Sequence, residues 1–527
     1  MARAVDPRAV TATRDRLLVS FDGLELSPAA AEAIARRAAG VTLYRHLNIR
    51  SAGQVRALTE TLQAAAARLG LPPLLIGADH ETGQLHALGD DATPFAGAMA
   101  LGATGDADLA ERVGRAIGTE LRAMGINLVY APVCDLATNP RNPVVGIRAF
   151  GDGPEAVGRL AAATVRGLQS AGVAATVKHL PGHGEPGGDS HLGLPVIERS
   201  AAELRARELV PFRAAIAAGA RLAMAGHLAV PALTGRRDLP ATLAREVVHD
   251  LLRDELGFDG LVVSDALDMG GVRGDDGAPD VGGALRAGID LLLCGPDPDA
   301  QARVEAGLAR AREGLDRAEA DASARRLARL RDWLAGFADV ELDVVGGTGR
   351  RDLADELARQ SITRIRDRDT LIPVRLAADA RILVIEPRPG NLTPADTSVL
   401  LTPGGLAAAI GSGDPAVESI VVDDPVPDSR IASILDRARR ADLTILGTVD
   451  ALGRPSTVAL ARALATTGRP VVAVALRGPW DADAYPEIGT VVACYGIQPP
   501  TLAALARALA GEDPISGRLP VRLALPA

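Results

Sequence analysis

The chain has 527 residues, room for two large domains or up to four small ones at roughly 100–200 residues each. It is 47% apolar and 23% charged, which excludes a mainly disordered chain. Its formal net charge of -9 gives nucleic acid and anionic membranes no overall attraction. No apolar run approaches the ~20 residues that cross a bilayer, and the start, MARAVDPRAVTATRDRLLVSF, lacks the long apolar core of a secretion signal. Cys134, Cys294 and Cys494 are scattered and form no metal or redox spacing. The expectation is a soluble cytoplasmic protein with no cofactor, no metal and neither nucleic acid nor membrane as partner.

In chain order, short apolar runs alternate with longer stretches rich in Ala, Leu, Glu and Arg. The strand candidates are LLVSF (17–21), GVTLY (40–44), PLLIGA (73–78), NLVYAP (127–132), AATVKH (174–179), LAMAGH (222–227), LVVSD (261–265) and DLLLC (290–294). Each is nearly continuous in apolar residues, as parallel strands covered on both faces are, and every gap is long enough for a crossover helix. An open, doubly wound sheet is an alternative, but the count of eight favours closure into a (β/α)8 TIM-type barrel. A helical segment with Trp333 completes a first domain over 1–337, and a Gly-containing stretch, 338–378, reads as a linker. RILVIEP, SIVVDD, LTILGT, VVAVAL and TVVACYG, separated by helical runs, then give a smaller α/β domain over 379–527.

Barrel enzymes carry their active residues at the C-terminal ends of the strands. Here Asp79, His80 and Glu81 follow strand three and Asp135 follows strand four. Lys178 and His179 end strand five, His227 ends strand six and Asp265 ends strand seven. Any one of these is explained as a cap or a rim salt bridge. Five successive strands aiming ionisable groups at one rim suggest a polar pocket for a hydroxyl-rich ligand. Lys178 has a further distinction: of 57 Lys and Arg residues, 56 are Arg and this is the one Lys. Either that is chance, or the position requires a compact ammonium that a planar guanidinium does not replace.

The loop KHLPGHGEPGGDSHLGLPVI (178–197) holds three of the eight histidines. His179 and His183 are four apart, but Pro181, Gly182 and Gly184 prevent the helix that would turn both to one metal ion. Its glycines and prolines suit a deformable loop that closes over a substrate. Asp189-Ser190-His191 sets a carboxylate two residues from an imidazole, either a general acid/base with its orienting partner or a local Asx turn. Asp265, straight after an apolar strand, is a carboxylate nucleophile or the N-cap of the next helix, and Asp268 reads as a helix-surface residue.

These segments resemble glycoside hydrolase family 3, in its bacterial β-N-acetylglucosaminidase branch. KHLPGHG…DSHLGLPVI, LGFDGLVVSDALDM and NPVVGIRAFG are similar to three of its motifs, ADHETG to its DxEGG segment and GVTLYRHLNI to its earlier strand. The close of the chain, from RGPWDADAYPEIGTVVACYG onward, is similar to the end of the family's C-terminal domain, so the likeness spans nearly the whole length. The resemblance implies a retaining exo-glycosidase in which Asp265 is the nucleophile and His191 the acid/base, partnered by Asp189. It implies that Asp79, Arg148, Lys178 and His179 bind sugar hydroxyls, with Asp135 and His227 as possible pocket residues. Retaining glycosidases usually use two carboxylates. An imidazole near its ordinary pKa of ~6.5 suits neutral pH better than a Glu near ~4.3.

One segment departs from the pattern. Where the family reads EGGRVxR this chain reads ETGQLHA, so Thr82 replaces a glycine and Gln84 and Ala87 replace two arginines. Aromatic residues are only 2% of the chain, which disfavours an extended polysaccharide cleft lined with stacking platforms. The expected substrate is therefore a small glycoside or muropeptide-type fragment carrying terminal β-N-acetylglucosamine. Transfer of the sugar to phosphate, β-glucosidase or β-xylosidase activity, and an inactive sugar-binding relative are the alternatives.

Overall fold

The computed structural model describes residues 15–36, 38–188, 190, 193–272, 279–311, 315–377, 379–393, 396–411 and 416–524. The first sheet consists of β1 (Leu17–Val19), β2 (Gly40–Leu43), β3 (Leu75–Ala78), β4 (Leu128–Val129), β5 (Ala174–Leu180), β6 (Leu222–Ala225), β7 (Leu261–Ser264) and β8 (Leu292–Leu293). All eight expected runs contain a strand. Neighbours pair in parallel from β7 back to β1, and β1 pairs with β8. The ring closes through the parallel bridge Val263–Leu291, with Ser264 N donating to Leu291 O at 3.0 Å.

The strands' two-residue period divides the apolar residues into two layers. Leu18, Leu75, Leu128, Leu222, Leu261 and Leu291 form one interior group with Tyr130, Met224 and Val263. Their neighbours Leu17, Val19, Ile76, Val129, Ala223 and Val262 pack instead in the cluster shared with the surrounding helices. Leu327, Leu330 and Leu334, on the helix Arg317–Ala335, join the interior group and plug one end of the barrel. The inward parity decides what reaches the other end. Continuing Leu75–Gly77 gives Asp79, Ala174–Thr176 gives Lys178, and Leu261–Val263 gives Asp265. Gly77 is required in this layer because a Cβ there would sit 2.9 Å from Tyr130 Oη.

The second sheet holds β9 (Thr363–Asp367), β10 (Ile382–Pro387), β11 (Val417–Val422), β12 (Leu443–Thr448), β13 (Val471–Ala475) and β14 (Thr490–Ala493). Its order is β11-β10-β12-β13-β14-β9, parallel except for β9, which runs antiparallel to β14. The stretch read as a linker therefore contains structure: the helix Thr348–Ser361 and strand β9 lie within it. TRIRD has a single apolar residue, Ile365, among three charged ones and borders the sheet at an edge, so it lacked the continuous apolar run of the other strands.

The two sheets are joined by hydrogen bonds near the barrel rim. Thr397 N donates to Gln84 O at 2.9 Å and Gln498 Nε2 donates to Gly83 O. Arg518 N donates to Ala103 O at 2.9 Å. Among the described residues no helix is long and apolar enough to cross a membrane.

Candidate active site

A cavity of about 470 Å³, within the range of small-molecule sites, opens at the C-terminal ends of the barrel strands. Asp79, Arg148, Lys178, His179 and Asp265 all line it, so five residues singled out in the sequence converge on one space. Lys178 is 1% exposed, and its Nζ lies 2.7 Å from Asp79 Oδ1 and 2.5 Å from Glu81 Oε1. Arg148 grips the same Glu81 with two parallel bonds, Nη2 to Oε1 at 2.7 Å and Nε to Oε2 at 2.8 Å. Its Nη1 donates to Val144 O at 2.9 Å.

Glu81 is the hub that sequence reasoning missed. It was visible only as one more charge after strand three, although it shares the parity of Asp79. Burial alone would raise its carboxyl pKa, but the Arg148 and Lys178 cations outweigh it and hold it down at about 2. Burial likewise lowers the Lys178 pKa, and the Asp79 and Glu81 carboxylates reverse that, leaving it raised. The four groups balance in charge, a fixed array of donors and acceptors suited to hydroxyls.

His179 is oriented from behind. Its Nδ1 pairs with Asp135 Oδ2 at 2.7 Å, leaving Nε2 as the ring atom available to the cavity. Asp135, fully buried, also accepts from the backbone N–H of His179 at 3.1 Å and of His183 at 2.7 Å. His227 is buried too, with Nδ1 2.8 Å from Thr242 Oγ1 and Nε2 3.0 Å from Ala266 O. Neither belongs to the cavity lining, which corrects their reading as pocket residues: one sets the His179 ring and the loop, the other props the turn beyond Asp265.

Asp265 does not cap a helix. The chain turns after β7, where Asp265 lines the cavity and its Oδ1 accepts from Ala266 N at 2.9 Å. Asp268 is also not a helix-surface residue. It lines the cavity and accepts from Gly295 N at 3.1 Å.

The 178–197 loop is tied down in its first half. Asn142 Nδ2 donates to His183 O at 2.7 Å and Pro186 O at 2.8 Å, and Asn139 Nδ2 to Glu185 O at 2.9 Å. Gly184 packs so closely that a Cβ would lie 1.6 Å from Leu136 O. Ser190 lines the cavity, its Oγ 2.9 Å from His183 Nε2 and its carbonyl accepting from Gly271 N at 3.2 Å. His183 is pushed down to about 4, by burial first and then by neighbouring His179. Asp189 and His191, the expected dyad, lie outside the described residues.

The remaining lining was not assigned from sequence. Tyr44, Arg45 and His46 follow β2, in the segment GVTLYRHLNI. The second domain contributes Asn391, Asp396, Thr397, Val399 and Leu400, from a segment without any chemical motif. Asp396 is not positioned as a proton donor. It is buried against Arg477, with Oδ2 2.9 Å from Nη1, and accepts from Leu392 N and Ser398 N. In ETGQLHA, Thr82 adopts a φ of 69°, left-handed backbone that glycine takes without penalty. Ala87 stands at the cavity wall where the family pattern has an arginine.

A parallel barrel whose inward strand ends carry a charge-paired polar cluster and a carboxylate, roofed by an α/β domain, is the architecture of a barrel glycosidase. The chain belongs to glycoside hydrolase family 3: the model of the glycosyl hydrolase family 3 N terminal domain matches residues 17–330. A solved glycoside hydrolase family 3 β-N-acetylglucosaminidase from Paenibacillus sp. str. FPU-7 is 34% identical. It covers 98% of this chain and 99% of its own, with a TM-score of 0.91. A β-N-acetylglucosaminidase/β-glucosidase of Cellulomonas fimi is 31% identical over 513 residues, 90% of this chain and 87% of that protein. Beta-hexosaminidase A of Pseudoalteromonas piscicida is 33% identical across 69% of this chain, which spans 65% of that relative's length.

Proposed function

We propose that this chain is a retaining exo-glycosidase that removes terminal, non-reducing β-N-acetylglucosamine from small glycosides, muropeptide fragments among them. The observation that carries the reading is the convergence of Asp265 with the Lys178–Asp79–Glu81–Arg148 cluster in one cavity. The relatives named for this activity support the choice of sugar. In the reaction, the cluster and His179 hold the sugar's hydroxyls. Asp265 attacks the anomeric carbon as the bond to the leaving oxygen breaks, giving a glycosyl-Asp265 ester. His191, with Asp189 as partner, protonates the leaving oxygen and then takes a proton from the water that cleaves the ester. A carboxylate from the second domain is not needed for this, since Asp396 is spent on Arg477.

The test is turnover of aryl β-N-acetylglucosaminide, β-glucoside and β-xyloside, each with and without inorganic phosphate. A phosphate-independent rate that is highest on the N-acetylglucosaminide is expected. Release of sugar phosphate, or preference for glucoside or xyloside, replaces the reading with the corresponding alternative.

A further inference from the structure

The cavity changes character from floor to mouth. Lys178, Arg148 and His179 are 1%, 6% and 5% exposed, while Val399 and Leu400, on the same cavity, are each 59% exposed. Among the described residues only four large apolar side chains are exposed, Leu69, Leu376, Val399 and Leu400. Half of them are therefore adjacent in sequence and placed at the entrance to the site. Scattered exposed apolar residues are ordinary, whereas a pair at a cavity mouth marks a contact surface.

These side chains stand on a short helical turn, Ser398–Leu400, held from several sides. Val399 N donates to Asn391 Oδ1 at 2.9 Å, and Ser398 N to Asp396 Oδ1 at 2.8 Å. Arg477 reaches Asp396, Ser398 Oγ and Gly390 O. Thr397 Oγ1 donates to Gln84 O at 3.0 Å and accepts from His86 N at 3.2 Å, fastening the turn to the barrel. The oxygens of Asn391, Asp396, Thr397 and Ser398 are thus engaged inside the protein. What the turn presents to the cavity is aliphatic carbon in a fixed place.

We propose that Val399 and Leu400 form a leaving-group subsite for an apolar aglycone, an alkyl or aryl group, rather than for a second sugar. The inference rests on the glycosidase reading above. A sugar at this position would meet few free hydrogen-bonding groups on that wall, whereas an apolar group would cover carbon now facing water. The leaving group departs from the anomeric carbon held at the floor, so it extends toward this mouth.

The probe is a series of methyl, butyl and hexyl β-N-acetylglucosaminides, whose leaving alcohols are similar in basicity, with N,N′-diacetylchitobiose alongside. For the native chain, kcat/KM is expected to rise at least about tenfold from methyl to hexyl, given roughly fourfold per fully buried CH2. The double variant Val399→Ser, Leu400→Ser should lose most of that rise and stay within about twofold of native on the methyl glycoside. Turnover without chain-length dependence, an equal loss on methyl and hexyl, or preference for chitobiose over hexyl each overturns the subsite while leaving the glycosidase reading in place. If the native chain turns over none of the N-acetylglucosaminides, the glycosidase reading falls and takes the subsite with it.

Discussion

The two sheets end their strands in opposite ways. At the barrel rim, charges converge on open space: Glu81 is held ionised between Arg148 and Lys178, and about 470 Å³ is left for a ligand. In the second sheet the strand order reverses beside β10, which lies between β11 and β12. Open α/β sheets usually bind ligands at such a switch point. Here the place is taken by the protein's own side chain. Glu386 accepts at 3.0 Å from both Leu406 N and Ala407 N at the start of the helix Gly405–Gly411. Nearby, Arg477 and Asp396 form a buried pair. Topology thus marks where a site is feasible, and the partners of each charge decide whether it is used. The second domain uses its buried Arg477–Asp396 pair to hold the turn Ser398–Leu400 over the barrel.

The contrast is tested most severely at Asp265. Asp265→Asn keeps the acceptor for Ala266 N, so the fold should be retained while kcat/KM falls at least about 10³-fold, roughly 4 kcal/mol of transition-state stabilisation. His191→Ala should cost about 10²-fold on alkyl glycosides, within the usual range for a lost acid/base, with azide restoring turnover of activated substrates. Circular dichroism with kinetics checks both. An Asp265→Asn enzyme of native activity would move the chemistry away from the barrel rim.

How far the sequence was legible follows from the same physics. Continuous apolar runs made all eight barrel strands and five of the second sheet readable, because buried parallel strands need apolar residues on both faces. β9 escaped because TRIRD is an edge strand. Asp79, Lys178 and Asp265 were legible as strand-end charges. Glu81 was present but ambiguous, since its role depends on Arg148, 67 residues away. The contribution of Asn391, Asp396, Thr397, Val399 and Leu400 had no local signature at all: it depends on the docking of two domains. Asp135 and His227 show the converse, polar residues at the right strand ends that act one layer behind the wall.

The solitary lysine gives a smaller effect. Nζ bridges two carboxylates beside a guanidinium in a site that is 1% exposed, and a planar, larger cation would displace one of them. Lys178→Arg is expected to lower kcat/KM by roughly 10- to 100-fold, mainly through KM, and to cost about 1–3 kcal/mol of stability. Native kinetics in this variant would mean that the ammonium is there by chance and that the cluster tolerates any cation.

The last prediction sets one buried carboxylate of each domain against the other and involves the least change in activity. Asp481 is buried, accepts from Thr448 Oγ1 and Ala451 N at 2.7 Å each, and among the described residues forms no salt bridge, Arg454 acting on it only at longer range. Burial pushes its carboxyl up to about 7, against about 2 for Glu81. For Glu81 the folded pKa is depressed, so its stabilisation is present above the ordinary value of 4.5 and is lost as pH falls toward 2. For Asp481 the folded pKa is raised. Between the ordinary 3.8 and about 7 the folded state holds the extra proton, so stability falls as pH rises through that window, by up to about 4 kcal/mol. Asp481→Asn removes the titration and keeps an acceptor for Ala451 N. Its melting temperature should overlap native near pH 4 and exceed it at pH 8, with kcat/KM unchanged, while Glu81→Gln should be less stable than native above pH 4.5. Thermal melts across this range decide the matter, because a pH-independent offset in Asp481→Asn would mean that the second domain's carboxylate is ionised, as the barrel's is.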